Sequence, residues 1–358
     1  MRVLRQTQSI KNSCTFVEIN LFNLHSTMQN QPSSTRYEDK MSYNCCGKSG
    51  LFLPKLSLGL WHNFGNEDDF DEAVKMIQYA FDNGITHFDL ANNYGPPEGS
   101  SEENFGRILK TNFAGYRDEM IISTKAGHYM WPGPYGDGSS RKYLMASINQ
   151  SLHRLKLDYV DIFYSHRYDP NTPLEESMST LSDIVKQGKA LYVGISKYPV
   201  DKTIEAYAML KANGTPCLIH QDRYSMFSRN VEEGILQTAA EHGVGFIGFS
   251  PLYQGVLSDK YLHGIPENSR AAKPSGFLQR SQISPEILEK VAALNAIALR
   301  RGQTLAQMAL TWCLRYPQVT SVIVGASSQK QLQDNIDALH YPTLSAEEIK
   351  TIEDILLQ

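Results

Sequence analysis

"HFDLANNYGPPEGSSEENFG", His87–Gly106, holds a short apolar strand, a turn rich in Gly and Pro, and the opening of a helix. The strand ends by presenting a carboxylate, Asp89, followed closely by two Asn and the phenol of Tyr94. A lone Asp at a strand end commonly caps a helix or braces a loop. The neighbouring segments repeat the same plan. "LPKLSLGL" precedes the helical "DFDEAVKMIQYAFDNG", in which Ala73, Ile77, Ala80 and Phe81 share one face and Gly84 is a stop. "SEENFGRILK" is the next helix, opened by Ser101 with acids in its first turn.

Six more strand–helix units follow. The strands are "EMIISTKAG", "YVDIFYSH", "ALYVGIS", "PCLIHQDRYS", "VGFIGFSPL" and "VTSVIVGAS". Their helices are "RKYLMASINQSLHRLKL", "PLEESMSTLSDIVKQG", "VDKTIEAYAMLKANG", "VEEGILQTAAEHG", the helices of 284–316, and "QKQLQDNIDALH". Short strands that are apolar on both faces belong to a parallel sheet covered by helices. Eight such units predict an α/β fold, a (β/α)8 TIM barrel with long rim loops, over a doubly wound open sheet. "YNCCGKSGLFL" reads as a β-hairpin ahead of the barrel. One domain over 41–358 is expected, preceded by a polar, irregular extension over 1–40. Glu18, Asn20 and Asn23 break the extension's only apolar stretch, which argues against a signal peptide. A disordered extension, or a start assigned upstream of Met28 or Met41, is the preferred reading.

The strand endings carry the chemistry. Asp89, Lys125, His166, Ser196, Gln221, Phe249-Ser250 and Gly325-Ala326-Ser327 end the second to eighth strands. In a closed barrel these ends form one rim, where barrel enzymes place their active sites. Seven polar endings in register are not explained as helix caps. Asp89, Tyr94, Lys125 and His166 together make an acid catalyst. The carboxylate fixes the ammonium, the ammonium is expected to lower the phenol's pKa, and the imidazole orients a bound carbonyl. Carbonyl reduction also needs hydride, which no side chain supplies, so a nicotinamide cofactor is implied.

From about Tyr43 onward the chain resembles the aldo-keto reductases, through "FDLANNYG", "ISTKAG", "YSHRYDP", "ALYVGIS", "GFSPLYQGVLSDKY" and "VIVGASSQKQLQDN". "GLWHNFG", "MWPGPYGDG" and "HRYDPNTPLEES" are similar to the branch holding bacterial L-glyceraldehyde-3-phosphate reductases and voltage-gated potassium channel β subunits. The resemblance implies a catalytic tetrad of Asp89, Tyr94, Lys125 and His166, with NADP(H) as cofactor. It assigns the nicotinamide carboxamide to Ser196 and Gln221 and the ring stack to Phe249. It assigns the pyrophosphate loop to Ser250, Leu252, Gly255, Leu257 and Lys260. The adenosine end falls to Gly325, Ser327, Gln331, Asp334 and Asn335. The sequence departs from many relatives at Lys197, where Asn is common, and at Gln331, where Arg often meets the 2′-phosphate.

Trp61 and Trp131 follow the first and third strands and are expected to wall a substrate pocket. Arg141, Lys142 and Arg167 are candidate cations for a phosphorylated triose, with methylglyoxal the uncharged alternative. "GVGFIG", 243–248, matches a dinucleotide fingerprint but leaves a helix and enters a strand, the reverse of what that fingerprint needs. His62, His87, His128 and His220 show no zinc spacing, so no metal is implied. A net charge of -4 gives no electrostatic case for nucleic acid, and no apolar run approaches a membrane span. Five Cys without a Cys-x-x-Cys pair suit a reducing, cytoplasmic setting. The expected function is NADPH-dependent reduction of a small aldehyde, by a chain that could form a homo-oligomer. A regulatory cofactor-binding subunit and a cofactor-free isomerase or lyase are the competing readings.

Overall fold

The computed structural model describes residues 31–267, 269–272 and 278–357. A hairpin comes first, β1 (Tyr43–Cys45) paired antiparallel with β2 (Phe52–Pro54), Asn44 facing Leu53. Eight parallel strands follow: β3 (Leu56–Gly59), β4 (His87–Asp89), β5 (Ile121–Ala126), β6 (Val160–Ser165), β7 (Ala190–Ser196), β8 (Ile219–Arg223), β9 (Gly245–Phe249) and β10 (Val319–Val324). Each pairs with its sequence neighbour and β10 returns to β3, closing the barrel. The strands are buried almost throughout, as the unbroken apolar runs predict.

The surrounding helices are α1 (Phe70–Asp82), α2 (Ser100–Asn112), α3 (Arg141–Leu155), α4 (Leu174–Lys186), α5 (Val200–Ala212), α6 (Ile235–His242), α7 (Pro285–Arg300), α8 (Leu305–Cys313), α9 (Gln329–Asp337) and α10 (Ala346–Leu357). Side-chain caps start at least half of them. Asp69 accepts from Asp71 and Glu72 N–H, and Ser140, Ser284, Thr304 and Ser328 each accept from the N–H three residues on. Helix α2 differs from expectation. It begins at Ser100 after Gly99, and the Ser101 hydroxyl donates to Leu60 O at 2.7 Å instead of capping. The segment expected as one helix from 231 opens as a 3₁₀ turn, Asn230–Glu232, and turns helical only after Gly234.

The hairpin closes the amino-terminal end of the barrel. Cys46 and Leu53 are fully buried in a cluster with Ile162, Tyr164, Ile219 and Ile247. Gly47 lies at φ +58°, and a Cβ there would come within 2.2 Å of Gly243 O, so the turn admits only glycine. Gly243 itself caps α6 in the left-handed region, and Gly245 opens β9. The "GVGFIG" run is thus a helix stop and a strand start, with no phosphate-binding turn.

Residues 1–30 of the extension lie outside the described residues. Residues 31–40, the end of the segment expected as an extension, run along the barrel, with Ser33 N–H donating to Asp82 Oδ1 at 2.6 Å and Lys40 Nζ to Asp82 O at 3.1 Å. Arg36 is buried, ion-paired with Glu119, with its guanidinium 5.1 Å from the Phe81 ring and 5.3 Å from the Tyr116 ring. Tyr37 donates to the same carboxylate at 2.6 Å. No described helix is long and apolar enough to cross a membrane.

Candidate active site

Strands β4 and β5 carry the first half of the site. Asp89 and Lys125 project into the barrel, exposed by only 2% and 0%. Lys125 Nζ donates to Asp89 Oδ2 at 2.6 Å, to Leu90 O at 2.5 Å and to the Tyr94 hydroxyl at 3.3 Å. The other carboxylate oxygen of Asp89 accepts from Ser123 Oγ at 2.7 Å and Gln221 Nε2 at 3.0 Å. Three donors thus satisfy this carboxylate in its buried position. Burial alone would drive the Lys125 ammonium down, but Asp89 and Tyr94 outweigh it and the cation is held.

Tyr94 reaches this pair from the loop after β4. Its carbonyl accepts from Gly99 N–H at 3.0 Å and its N–H donates to Ala91 O at 3.1 Å, which fixes the turn. The phenol's pKa runs opposite to expectation. Burial raises it most, Lys125 pulls it down, and Asp89 cancels part of that pull. The sequence shows which charges flank the phenol but not how far it is desolvated. Tyr94 therefore keeps its proton through neutral pH.

His166 follows β6, its ring centroid 6.1 Å from that of Tyr94 and edge-on to it. Burial first, then the charges of Lys125 and Lys197, hold it well below the ordinary histidine range, so the ring is neutral. Its Nδ1 has no hydrogen-bond partner. Gly127, at φ +155°, lets β5 pass close: a Cβ there would lie 3.1 Å from the His166 Cβ.

The remaining strand ends supply the second half. Ser196 ends β7, buried, its hydroxyl without a partner. Gln221 lies two residues before the end of β8 and opposite Ser196. Phe249 ends β9 and aligns with Ile323 of β10, so the Ser250–Lys260 loop starts beside the end of β10. In that loop Ser250, Tyr253, Gln254 and Gly255 all take positive φ, and a Cβ on Gly255 would meet open space. Leu252 is half-buried, Lys260 is exposed, and the Leu257 side chain is fully buried in the core. Gln331 Oε1 accepts from Ser327 N at 2.8 Å and Ser327 Oγ at 3.0 Å, closing the first turn of α9 on itself. Asp334 and Asn335 sit in the same helix; Asn335 is buried and its Nδ2 has no partner.

The candidate walls differ from each other. Trp61 stands beside Tyr94, ring centroids 6.2 Å apart. Trp131 packs 5.1 Å from the Tyr143 ring, and the Tyr143 hydroxyl donates to His128 O. The candidate cations are redistributed. Arg141 does begin α3, but it pairs with Asp183 of α4 at 2.6 Å, and Lys142 is exposed. Arg167 donates to Gly127 O at 2.6 Å and pairs with Asp137 at 2.9 Å.

The polar frame behind the pair was not read from the sequence. His87 Nε2 lies 3.0 Å from Ser123 Oγ and Nδ1 2.9 Å from Ser57 Oγ, and Ser57 meets Ser321 at 2.7 Å. Since Ser123 donates to Asp89, the His87 Nε2–H must donate to Ser123, so the proton order points toward the carboxylate. The signal was available: His87/Asp89 and Ser123/Lys125 are spaced by two, and alternate strand residues share a face.

A model of the aldo/keto reductase family matches residues 55–357. The chain belongs to the aldo/keto reductase family. It is 54% identical over 318 residues to the L-glyceraldehyde 3-phosphate reductase of Escherichia coli O157:H7, covering 88% of this chain and 92% of that one. It is 37% identical to a probable voltage-gated potassium channel subunit beta of Arabidopsis thaliana, covering 88% and 97% respectively. Membership makes the chain an oxidoreductase of a family that generally uses NAD(P)H.

Proposed function

We propose that this aldo-keto reductase reduces small aldehydes with NADPH, with Tyr94 as proton donor. The observation that carries the reading is the single ammonium of Lys125 shared between Asp89 at 2.6 Å and the Tyr94 hydroxyl at 3.3 Å. The buried polar atoms at the rim also fit a bound dinucleotide. Ser196 Oγ and Asn335 Nδ2 are buried without partners, at positions expected to meet the carboxamide and the adenosine end of the cofactor. Such groups are costly unless a ligand pairs with them. Ser196 and Gln221 would hold the nicotinamide, Phe249 would stack on it, and the 250–260 loop would border the pyrophosphate. The bound cofactor supplies hydride.

The protein side of the reaction follows from the site. In this reading Tyr94 O–H and neutral His166, with ring centroids 6.1 Å apart, both hydrogen-bond one carbonyl oxygen. As negative charge develops on that oxygen, Tyr94 gives up its proton, and Lys125 stabilises the phenolate that forms. Asp89 keeps Lys125 charged and in place. Trp61 narrows the approach beside Tyr94 and favours a short aldehyde. The four described cysteines are free thiols, in keeping with the proposed reducing, cytoplasmic setting.

The test is a panel of aldehydes with NADPH and NADH. The highest kcat/KM is expected for aldehydes of about three carbons, a size set by the narrow wall. NADPH turnover taking minutes for every aldehyde, with tight retention of the cofactor, would instead favour a regulatory subunit.

A further inference from the structure

A second cation stands at the mouth of the site, with a role that the tetrad does not use. Lys197 follows Ser196 at the end of β7 and is half-buried. Its backbone sits at φ +55°, in the left-handed region that residues with a Cβ seldom occupy. Its ammonium lies 3.0 Å from His128 Nε2. The His128 ring in turn stands edge-on to His166, centroids 4.5 Å apart. Lys197 is therefore one imidazole's width beyond His166, the residue expected to hold the carbonyl.

Its surroundings are electropositive. Among the described residues no carboxylate lies at ion-pair distance from its Nζ; Asp222 favours the ammonium only from farther away. Burial, Lys125, Arg167 and Arg223 together push Lys197 down to about 8. His128 is pushed down to about 4 by burial and by Lys197, so it is neutral and its Nε2 accepts from the ammonium. That leaves two of the three N–H donors of Lys197 for another partner. Arg167 and Arg141, by contrast, are each paired with an aspartate. An unpaired, half-buried cation beside a catalytic centre costs stability and persists where an anion is bound.

We propose that Lys197, steadied by His128, binds the anionic end of the aldehyde substrate and selects phosphorylated or carboxylated short aldehydes over neutral ones. The inference rests on the reductase reading of the same site. A substrate whose carbonyl meets Tyr94 and His166 and whose phosphate meets Lys197 spans the mouth past His128, a stretch suited to a three-carbon chain. A phosphate bound here could come from the substrate or from the cofactor's pyrophosphate, and the test must separate them.

The experiment compares wild type with Lys197→Met and Lys197→Arg. The ratio of kcat/KM for glyceraldehyde 3-phosphate to that for glyceraldehyde should be about tenfold or more in wild type and fall toward one in Lys197→Met, through KM. Lys197→Arg should recover much of the ratio. NADPH affinity, read by fluorescence, should stay within about twofold, because a single hydrogen bond to the cofactor would cost more. Glycerol 3-phosphate binding, read by calorimetry on the NADPH complex, should be lost in Lys197→Met. An unchanged ratio, or a tenfold loss of NADPH affinity, overturns the proposal. If no aldehyde turns over but wild type alone binds glycerol 3-phosphate, the reductase reading falls and the anion site stands. If aldehydes turn over and charge makes no difference, the anion site falls and the reductase reading stands.

Discussion

The two halves of the rim are finished to different degrees. On the β4–β5 side every polar atom of the Asp89–Lys125 pair has a protein partner, and a chain of Ser321, Ser57, His87 and Ser123 stands behind it. On the β7–β10 side Ser196 Oγ and Asn335 Nδ2 have none, and Gln331 is turned back onto Ser327. The first half is organised before any ligand arrives, as electrostatic catalysis requires. On the proposed reading, the second half completes its hydrogen bonding with the bound cofactor. Substitutions in the two halves should therefore fail differently: the first in chemistry and stability together, the second in binding with stability unmoved.

Lys125→Met should have the largest effect. Aldehyde reduction should fall by about 10²–10⁴, the usual loss when an acid catalyst is disabled. Removing one partner of a buried ion pair should also cost about 3 kcal/mol of stability. Normal turnover, or an unchanged melting temperature, would break the account of the preorganised half.

The polar chain predicts a pH dependence of stability. His87 is fully buried and held down to about 4, chiefly by burial, while an unfolded histidine titrates near 6.5. Between those values the unfolded chain binds the extra proton, so stability is full above about pH 6.5 and is lost as pH falls toward 4. The contribution is about 3 kcal/mol. Denaturation of His87→Phe across that range should show a shallower slope, with His166 and His128 supplying what remains. An unaltered slope would remove His87 from the account.

A smaller effect is expected behind the carboxylate. Ser123→Ala takes a donor from Asp89 and leaves His87 Nε2–H unpaired, at a cost of about 1–3 kcal/mol. The smallest effect sharpens the contrast most. Ser196→Ala deletes a hydroxyl that has no partner, so the melting temperature of the unliganded protein should hold or rise slightly. NADPH affinity should weaken by about 0.5–1.5 kcal/mol, the net value of one hydrogen bond. A large loss of unliganded stability would show that the hydroxyl is structurally engaged.

The barrel was legible because its evidence is periodic. Buried parallel strands leave continuous apolar runs, and their polar endings mark one rim. The candidate site residues stood out for the same reason, since Asp89, Lys125 and His166 each close or follow a run. What could not be read depends on three-dimensional register. Ser57, His87, Ser123 and Ser321 are distant in sequence and meet only because β10, β3, β4 and β5 are neighbours. Arg141 begins its helix as expected, yet its side chain turns to Asp183 because α3 and α4 pack together. Lys197 stands out in the sequence only as an unusual residue; its partnership with His128 needs the left-handed backbone and the loop after β5. Helix α10 follows the eighth unit, outside the repeat that organised the reading, and is tied down by Arg301–Glu348 and Lys290 to Leu356 O.

In the proposed mechanism Tyr94 donates the proton within a frame that stands without it. The direct test is single-turnover oxidation of bound NADPH by glyceraldehyde 3-phosphate in wild type and Tyr94→Phe, with NADPH affinity measured on the same samples. The account predicts that the hydride-transfer rate falls by about 10²–10⁴ while NADPH affinity stays close to wild type. A rate within a few-fold of wild type would contradict it, because another group would then have to protonate the carbonyl oxygen.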